Sequence, residues 1–378
     1  MSNFFNIVSG TSGLWSSDLS NGEAYQSFRA SIPQRKVVVD ADGLKSWTLY
    51  DAGPKEITCP LIFLPPVSGI ADIFFQQITF LSKMGYRVIS VEYPVYWSLR
   101  EFVYGFFRLI EHLQLDKVHV FGASLGGFLI QKFAELTSRF PRVQSFILCN
   151  SFADTAIFHH TDSAMLFWMM PPIILKRMIM GNRSLAIQTR DKTIQDSIDF
   201  MSERLESLTQ QELASRLTIN CVSSYVDPNE LRKIPITILD VFDKCAISER
   251  VKQELYRMYP TAKRAHLKTG GNFPYLSRPD EVNMHIVIHL RQFEGTRFSA
   301  KLESTKSIDN LSPSHLLPEN GSTSNELNSD NLDEDQENCK NEPNQENKIN
   351  QEAQLKGKDD FQYEDDYNEE KGLLYDVS

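Results

Sequence analysis

The residues best suited to chemistry are Gly122-Ala123-Ser124-Leu125-Gly126, a complete G-x-S-x-G pentapeptide. A strand-like run, Lys117 to Phe121, precedes it and a helical run, Gly127 to Arg139, follows. A serine on a sharp strand-to-helix turn exposes its hydroxyl for nucleophilic attack, so this setting predicts a nucleophile elbow. Such a serine needs a base to take its proton and an acid to orient that base. Asp243, just past the apolar run Ile236 to Asp240, fits the acid position better than Asp240 does. The base is due after the next strand-like run, where the chain reads Thr269-Gly270-Gly271-Asn272-Phe273-Pro274. A side-chain amide has no basic nitrogen, so Asn272 cannot accept the serine proton.

The other candidates for the base are poorly placed. His266 stands six residues before Asn272, inside the strand-like run, and reads as structural. His159 and His160 lie in a separate insertion and would have to swing inward. The oxyanion side is altered as well, since Leu64-Pro65-Pro66-Val67-Ser68-Gly69 places two prolines without N–H groups there. The backbone amides of Val67 and Leu125 remain as oxyanion-type donors. Loss of the histidine costs a serine protease roughly 10⁶ in turnover. Ser124, Asp243 and Asn272 are therefore expected to be vestigial triad positions with no active catalysis.

The elements that must position these residues follow from apolar periodicity. Lys36-Val37-Val38-Val39 and Trp47-Thr48-Leu49-Tyr50 flank Asp42-Gly43 and predict a hairpin. Strands are expected at Leu61–Leu64, Arg87–Val91, Lys117–Phe121 and Ser145–Cys149, alternating with helices at Phe74–Met84, Leu99–Leu113 and after the elbow. This alternation, with wholly apolar strands, predicts an α/β fold with a mostly parallel central sheet covered by helices on both faces. The alternation stops at about residues 154–230, a helical stretch placed like a cap over a pocket. It resumes with strands at 236–240 and 265–267 and helices at 249–258 and 280–293. The expected organisation is a flexible arm over residues 1–25, a body over 26–298 and an acidic disordered tail over 299–378.

Charge separates the tail from the body. Residues 301–378 hold 7 Lys/Arg and 20 Asp/Glu, whereas residues 1–300 hold 32 and 29, so the net charge of −10 belongs to the tail. No basic stripe offers itself to nucleic acid. The tail is too poor in apolar residues to offset its ordering entropy. One island within it, Tyr363 to Tyr375, places acidic residues ahead of Leu373-Leu374 in the manner of a dileucine sorting signal. Five scattered cysteines in odd number, without metal-binding spacing, indicate a reduced intracellular setting, with Cys149 a core residue. No metal and no cofactor is expected. No secretory signal and no membrane-spanning run is expected, since the longest apolar stretch, Met165 to Leu175, is broken by Pro171-Pro172. That stretch supplies a candidate membrane or partner surface through Trp168, Met169 and Leu175, with burial in the body as the alternative.

Four segments together carry a family resemblance. They are Pro60 to Gly69, Tyr93-Pro94-Val95-Tyr96-Trp97, Phe121 to Gly127, and Arg264 to Tyr275 with its Gly270-Gly271-Asn272. They resemble maspardin over roughly residues 28–300, and both the Pro-Pro and the Gly-Gly-Asn departures are shared. The resemblance implies an α/β-hydrolase fold without hydrolase activity, in a cytosolic protein peripheral to endosomal and trans-Golgi membranes. It also implies protein partners, namely a receptor cytoplasmic tail and an aldehyde dehydrogenase. Three functions compete: an adaptor on an inactive hydrolase fold, a slow serine hydrolase with an atypical base, and a carrier of lipid or another small ligand beneath the cap.

Overall fold

The computed structural model describes residues 17–158, 164–180 and 190–302. Eight strands form one sheet: β1 (Gln34–Val38), β2 (Ser46–Ala52), β3 (Leu61–Leu64), β4 (Val88–Glu92), β5 (Val118–Ala123), β6 (Val143–Cys149), β7 (Ile236–Val241) and β8 (Lys263–Leu267). Their spatial order is β1-β2-β4-β3-β5-β6-β7-β8. The β1–β2 and β2–β4 pairs are antiparallel, and every other pair is parallel. The hairpin expected around Asp42-Gly43 is present, with Lys36 opposite Thr48.

The helices are α1 (Asp18–Asn21), α2 (Glu23–Ser31), α3 (Phe75–Lys83), α4 (Leu99–His112), α5 (Leu125–Leu136), α6 (Ala164–Met169), α7 (Pro172–Met180), α8 (Lys192–Ser207), α9 (Gln210–Cys221), α10 (Glu249–Met258), α11 (Pro274–Ser277) and α12 (Pro279–Arg291). Strand alternation divides the core between the two sheet faces. Ile62 and Leu64 pack with α4 and α5 residues such as Phe106 and Phe128. Leu61 and Phe63 face the other way, toward Phe28, Ile78 and Ile286 of α2, α3 and α12. α6 to α9 fill the interval between β6 and β7, where the cap was expected.

Both expected body boundaries shift outward. Residues 18–25, assigned to the arm, belong to α1 and α2, because Tyr25 and Phe28 are buried against Phe75 and Phe200. At the other end, Ala300 is buried, its carbonyl accepts from the Arg87 N–H at 2.9 Å, and Lys301 bridges Tyr86. The body therefore reaches Leu302, four residues past the expected end, because this segment pairs beside the start of β4. The acidic tail from residue 303 on, with its Leu373-Leu374 island, lies outside the described residues, as do His159 and His160.

Beneath the elbow strand a polar chain crosses three strands. His119 Nε2 donates to the Phe298 carbonyl at 2.8 Å, which leaves Nδ1 to accept from Ser145 Oγ at 2.7 Å. Ser145 Oγ then accepts from His289 Nε2 at 2.8 Å, and His289 Nδ1 accepts from Thr237 Oγ1 at 2.8 Å. Each imidazole fills both nitrogens only in its neutral form. Burial pushes His119 down to about 4 and His289 down to about 3. An unfolded histidine titrates near 6.5, so the unfolded chain binds these protons first as pH falls. The associated stability is intact above about 6.5 and is lost on acidification toward the folded values. Urea unfolding should show a loss of about 2 kcal/mol per imidazole between pH 7.5 and 4.5. A flat profile over that interval would contradict this account.

Candidate functional site

A single residue, Ser124, separates β5 from α5. Its backbone sits at φ 48° and ψ −114°, a conformation an L-residue adopts at a cost of roughly 1–3 kcal/mol. The surrounding bonds hold it there. Its N–H donates to the Cys149 carbonyl at 3.0 Å, and its own carbonyl accepts from Gly127 N, Phe128 N and Ser151 Oγ. The glycines serve close approach: a Cβ on Gly126 would lie 2.4 Å from the Leu64 carbonyl oxygen, and one on Gly122 would lie 2.4 Å from Gly127 Cα. Ser124 is partly exposed, and its hydroxyl has no hydrogen-bond partner among the described residues.

The contact between Gly126 and Leu64 also lays the loop after β3 against the first turn of α5. Within that loop Gly69 N donates to the Pro66 carbonyl at 3.0 Å. The amides of Val67 and Leu125 donate to no protein group among the described residues, which leaves both oxyanion-type donors open. Arg216 of α9 holds the loop from the cap side. Its Nη1 donates to the carbonyls of Val67 and Gly69 at 3.3 and 2.5 Å. The guanidinium is fully buried, lies over the Tyr93 ring and pairs with Glu92 at 3.6 Å. Burial raises the Glu92 carboxyl above its ordinary range, and Arg216 opposes that rise. Sequence reasoning missed Arg216, since an arginine that serves backbone carbonyls belongs to no motif.

The acid and base positions are both engaged in loop closure. Asp243 follows β7 as expected, but its carboxylate accepts the Gly270 N–H at 3.0 Å and the Gly271 N–H at 3.1 Å. Asn272 is exposed, and its Oδ1 accepts from the Ala246 N–H at 2.6 Å. Asn150, a second residue that the sequence did not reveal, donates from Nδ2 to the Gly271 carbonyl at 3.0 Å. Ser277 Oγ closes the ring by donating to the Gly270 carbonyl at 2.7 Å. The turn requires glycine at Gly271, where φ is +62°.

His266 stands opposite Asp240 in the β7–β8 register and is exposed. Its ring stacks on Phe242 at 4.9 Å, and Tyr256, which donates to Asp240 at 2.7 Å, lies 3.1 Å from its Nε2. These contacts engage both the face and the Nε2 of its ring with groups of α10 and the loop after β7. No group of three or more His, Cys, Asp or Glu could hold a metal among the described residues.

The cap splits the expected interaction surface. Leu175 is 0 % exposed and is corrected to a core residue: it packs with Phe167, Leu205, Leu213 and Leu217. Trp168 and Met169 stay outside, 56 % and 65 % exposed. The division follows helical geometry, which turns Leu175 and Ile179 inward and sends Ile174 and Met178 outward. A surface pocket of about 450 Å³ is lined by residues of α1, α2 and α8, among them Ser20, Tyr25, Arg29, Glu203 and Arg204. In its wall Asp72 accepts from Tyr25 at 2.6 Å and pairs with Arg204 at 3.0 Å, and its lining does not include Ser124.

A sheet of this order, with a serine elbow after its fifth strand and a helical cap between its sixth and seventh, defines the α/β-hydrolase class. Residues 60–172 match the family model of the α/β hydrolase fold. A thermophilic esterase from Thermogutta terrifontis superposes with a TM-score of 0.55 at 17 % identity, covering 69 % of this chain and 98 % of its own. A bromoperoxidase from Bacillus anthracis gives 0.53 at 15 % identity, covering 68 % of this chain and 100 % of its own. At such identities the likeness is one of fold alone.

The family follows from nearer relatives. Maspardin of Danio rerio is 60 % identical over 276 residues, which are 73 % of this chain and 88 % of that protein. Maspardin of Homo sapiens is 58 % identical over 287 residues, or 76 % of this chain and 92 % of that protein. The chain belongs to the maspardin family.

If Asp243 anchors the loop, removing it leaves the amides of two buried glycines, Gly270 and Gly271, unpaired. Asp243→Ala should lower unfolding stability by about 1–3 kcal/mol. Asp243→Asn keeps an acceptor oxygen and should recover part of that loss. Urea denaturation of the two variants checks this order.

Proposed function

We propose that this chain is a non-catalytic binding protein on an α/β-hydrolase fold, an intracellular adaptor rather than a hydrolase. The carrying observation is that Asn272 and Asp243 spend their side chains on the Ala246, Gly270 and Gly271 amides. Nothing basic among the described residues hydrogen-bonds Ser124, so its hydroxyl keeps the high pKa of an alcohol and is a poor nucleophile. The open amides of Val67 and Leu125 still leave two donors for a carbonyl or carboxylate oxygen, which they can bind without turning it over.

Family membership supports the finer reading. Within it the adaptor is cytoplasmic, sits peripherally on endosomal or trans-Golgi membranes, and engages protein partners such as a receptor cytoplasmic tail or an aldehyde dehydrogenase. The described residues contain no helix long and apolar enough to cross a membrane, which is compatible with peripheral attachment. A slow serine hydrolase is the second reading. The strained Ser124 turn and its two free oxyanion-type donors favour it.

Ester hydrolysis separates the two. The wild-type chain and Ser124→Ala should give equal rates on p-nitrophenyl esters, and a serine-directed fluorophosphonate should label neither above background. A wild-type rate well above that of Ser124→Ala would establish the second reading. Asn272→His should add at most a small activity, since Pro65 and Pro66 withhold amides from the oxyanion side.

A further inference from the structure

We propose that the α6–α7 hairpin is a bilayer-docking element that seats its outer face in the interface of an anionic membrane. Both helices are apolar on two sides. One side, with Phe167 and Leu175, builds the cap core. The other carries Leu166, Trp168, Met169, Ile173, Ile174 and Met178, all exposed, with Ile173 at 71 %. Helices with apolar residues on two sides normally bury both, and these leave the outer side exposed. A contiguous patch of this kind marks a docking surface rather than ordinary scatter.

The base beneath the patch is firm. Gln210 Nε2 donates to the Trp168 and Met170 carbonyls at 3.0 and 2.9 Å, which pins the turn between the helices. Lys176 Nζ reaches Glu206 Oε2 at 2.6 Å and ties α7 to α8. The outer side chains are thus presented by a fixed scaffold.

Charge identifies the occupant. From Ala164 to Arg190 the chain carries Lys176, Arg177, Arg183 and Arg190 and no Asp or Glu, although its net charge is −10. Arg177 is exposed beside Ile173, Ile174 and Met178. Arg183 lies outside the described residues and Lys176 is paired with Glu206, so Arg177 is the cation shown beside the patch. Apolar residues with a tryptophan, flanked by an exposed arginine and drawn from a segment without acids, match the interface of a leaflet rich in anionic lipid. The inference rests on the adaptor reading above, and it does not involve Ser124.

The test is co-sedimentation of the full chain with phosphatidylcholine vesicles, with and without phosphatidylserine. The wild type should pellet with the anionic vesicles and stay largely soluble with the neutral ones. The Ile173→Glu, Met178→Glu double variant should lose at least about tenfold in binding, and Arg177→Glu should lose binding to anionic vesicles. These positions are exposed, so the melting temperature should hold. If it falls, a Trp168→Ser, Ile173→Ser variant that melts normally takes the place of the first. Ser124→Ala should bind like the wild type, which keeps this test separate from that of the inactive site. The inference is overturned if the wild type ignores both vesicles or if the patch variants bind undiminished. It is also overturned if the patch proves to hold a protein while the chain shows no lipid binding.

Discussion

The turn at Ser124 constrains everything around it, because only one residue is available to reverse the chain between a buried strand and a buried helix. A backbone with φ of 48° persists only where its neighbours over-determine it. Here the Ser124 carbonyl collects three donors while its N–H is fixed to Cys149. The sheet order supplies those neighbours. β5 lies between β3 and β6, so the loop after β3 and the Asn150-Ser151 segment after β6 arrive at the same end of the sheet as the elbow. Gly126 admits the first and Gly127 the second, since a Cβ on Gly127 would meet Ser151 Oγ at 2.3 Å.

From that point the site spreads outward as a set of closures. Asn150 grips the Gly271 carbonyl from below, Asp243 grips the amides on either side of that turn, and Asn272 reaches across to Ala246. Arg216 completes the arrangement from the cap by holding the Val67 and Gly69 carbonyls. Each of these groups satisfies backbone atoms that would otherwise stand unpaired near the mouth of the site. In a hydrolase the acid would orient an imidazole; in this chain it orients a loop. The same carboxylate closes the Gly270-Gly271 turn.

How much of this was legible in the sequence depended on the kind of signal. β3 and α10 fell at the expected bounds, because a four-residue apolar run and a clean amphipathic period have one physical solution each. The elbow was legible because its glycines, its strand and its helix are local in the chain. α1 and α2 were not, since a polar segment with only Tyr25 and Phe28 facing inward looks like a loose arm until Phe75 and Phe200 supply the other side. The fate of Leu175 was also hidden. A helix apolar on both sides does not reveal which side the rest of the cap will take. Arg216 and Asn150 act on main-chain atoms distant in sequence, and residue type alone carries no trace of such bonds.

That two-sided helix bears on the state in which the protein works. Burying Phe167 and Leu175 against Leu205, Leu213 and Leu217 accounts for the folding of the cap and leaves Trp168, Ile173 and Met178 unaccounted for by stability. Polar residues at those three positions would keep the inward packing and improve solubility. Packing of the cap does not account for their apolar character. The turn at Ser124 poses the same problem at the other end of the site. Its strain of roughly 1–3 kcal/mol needs no turnover to account for it. What it does serve is geometry: it sets the start of α5, and with it the Leu125 amide, facing the loop that carries Val67.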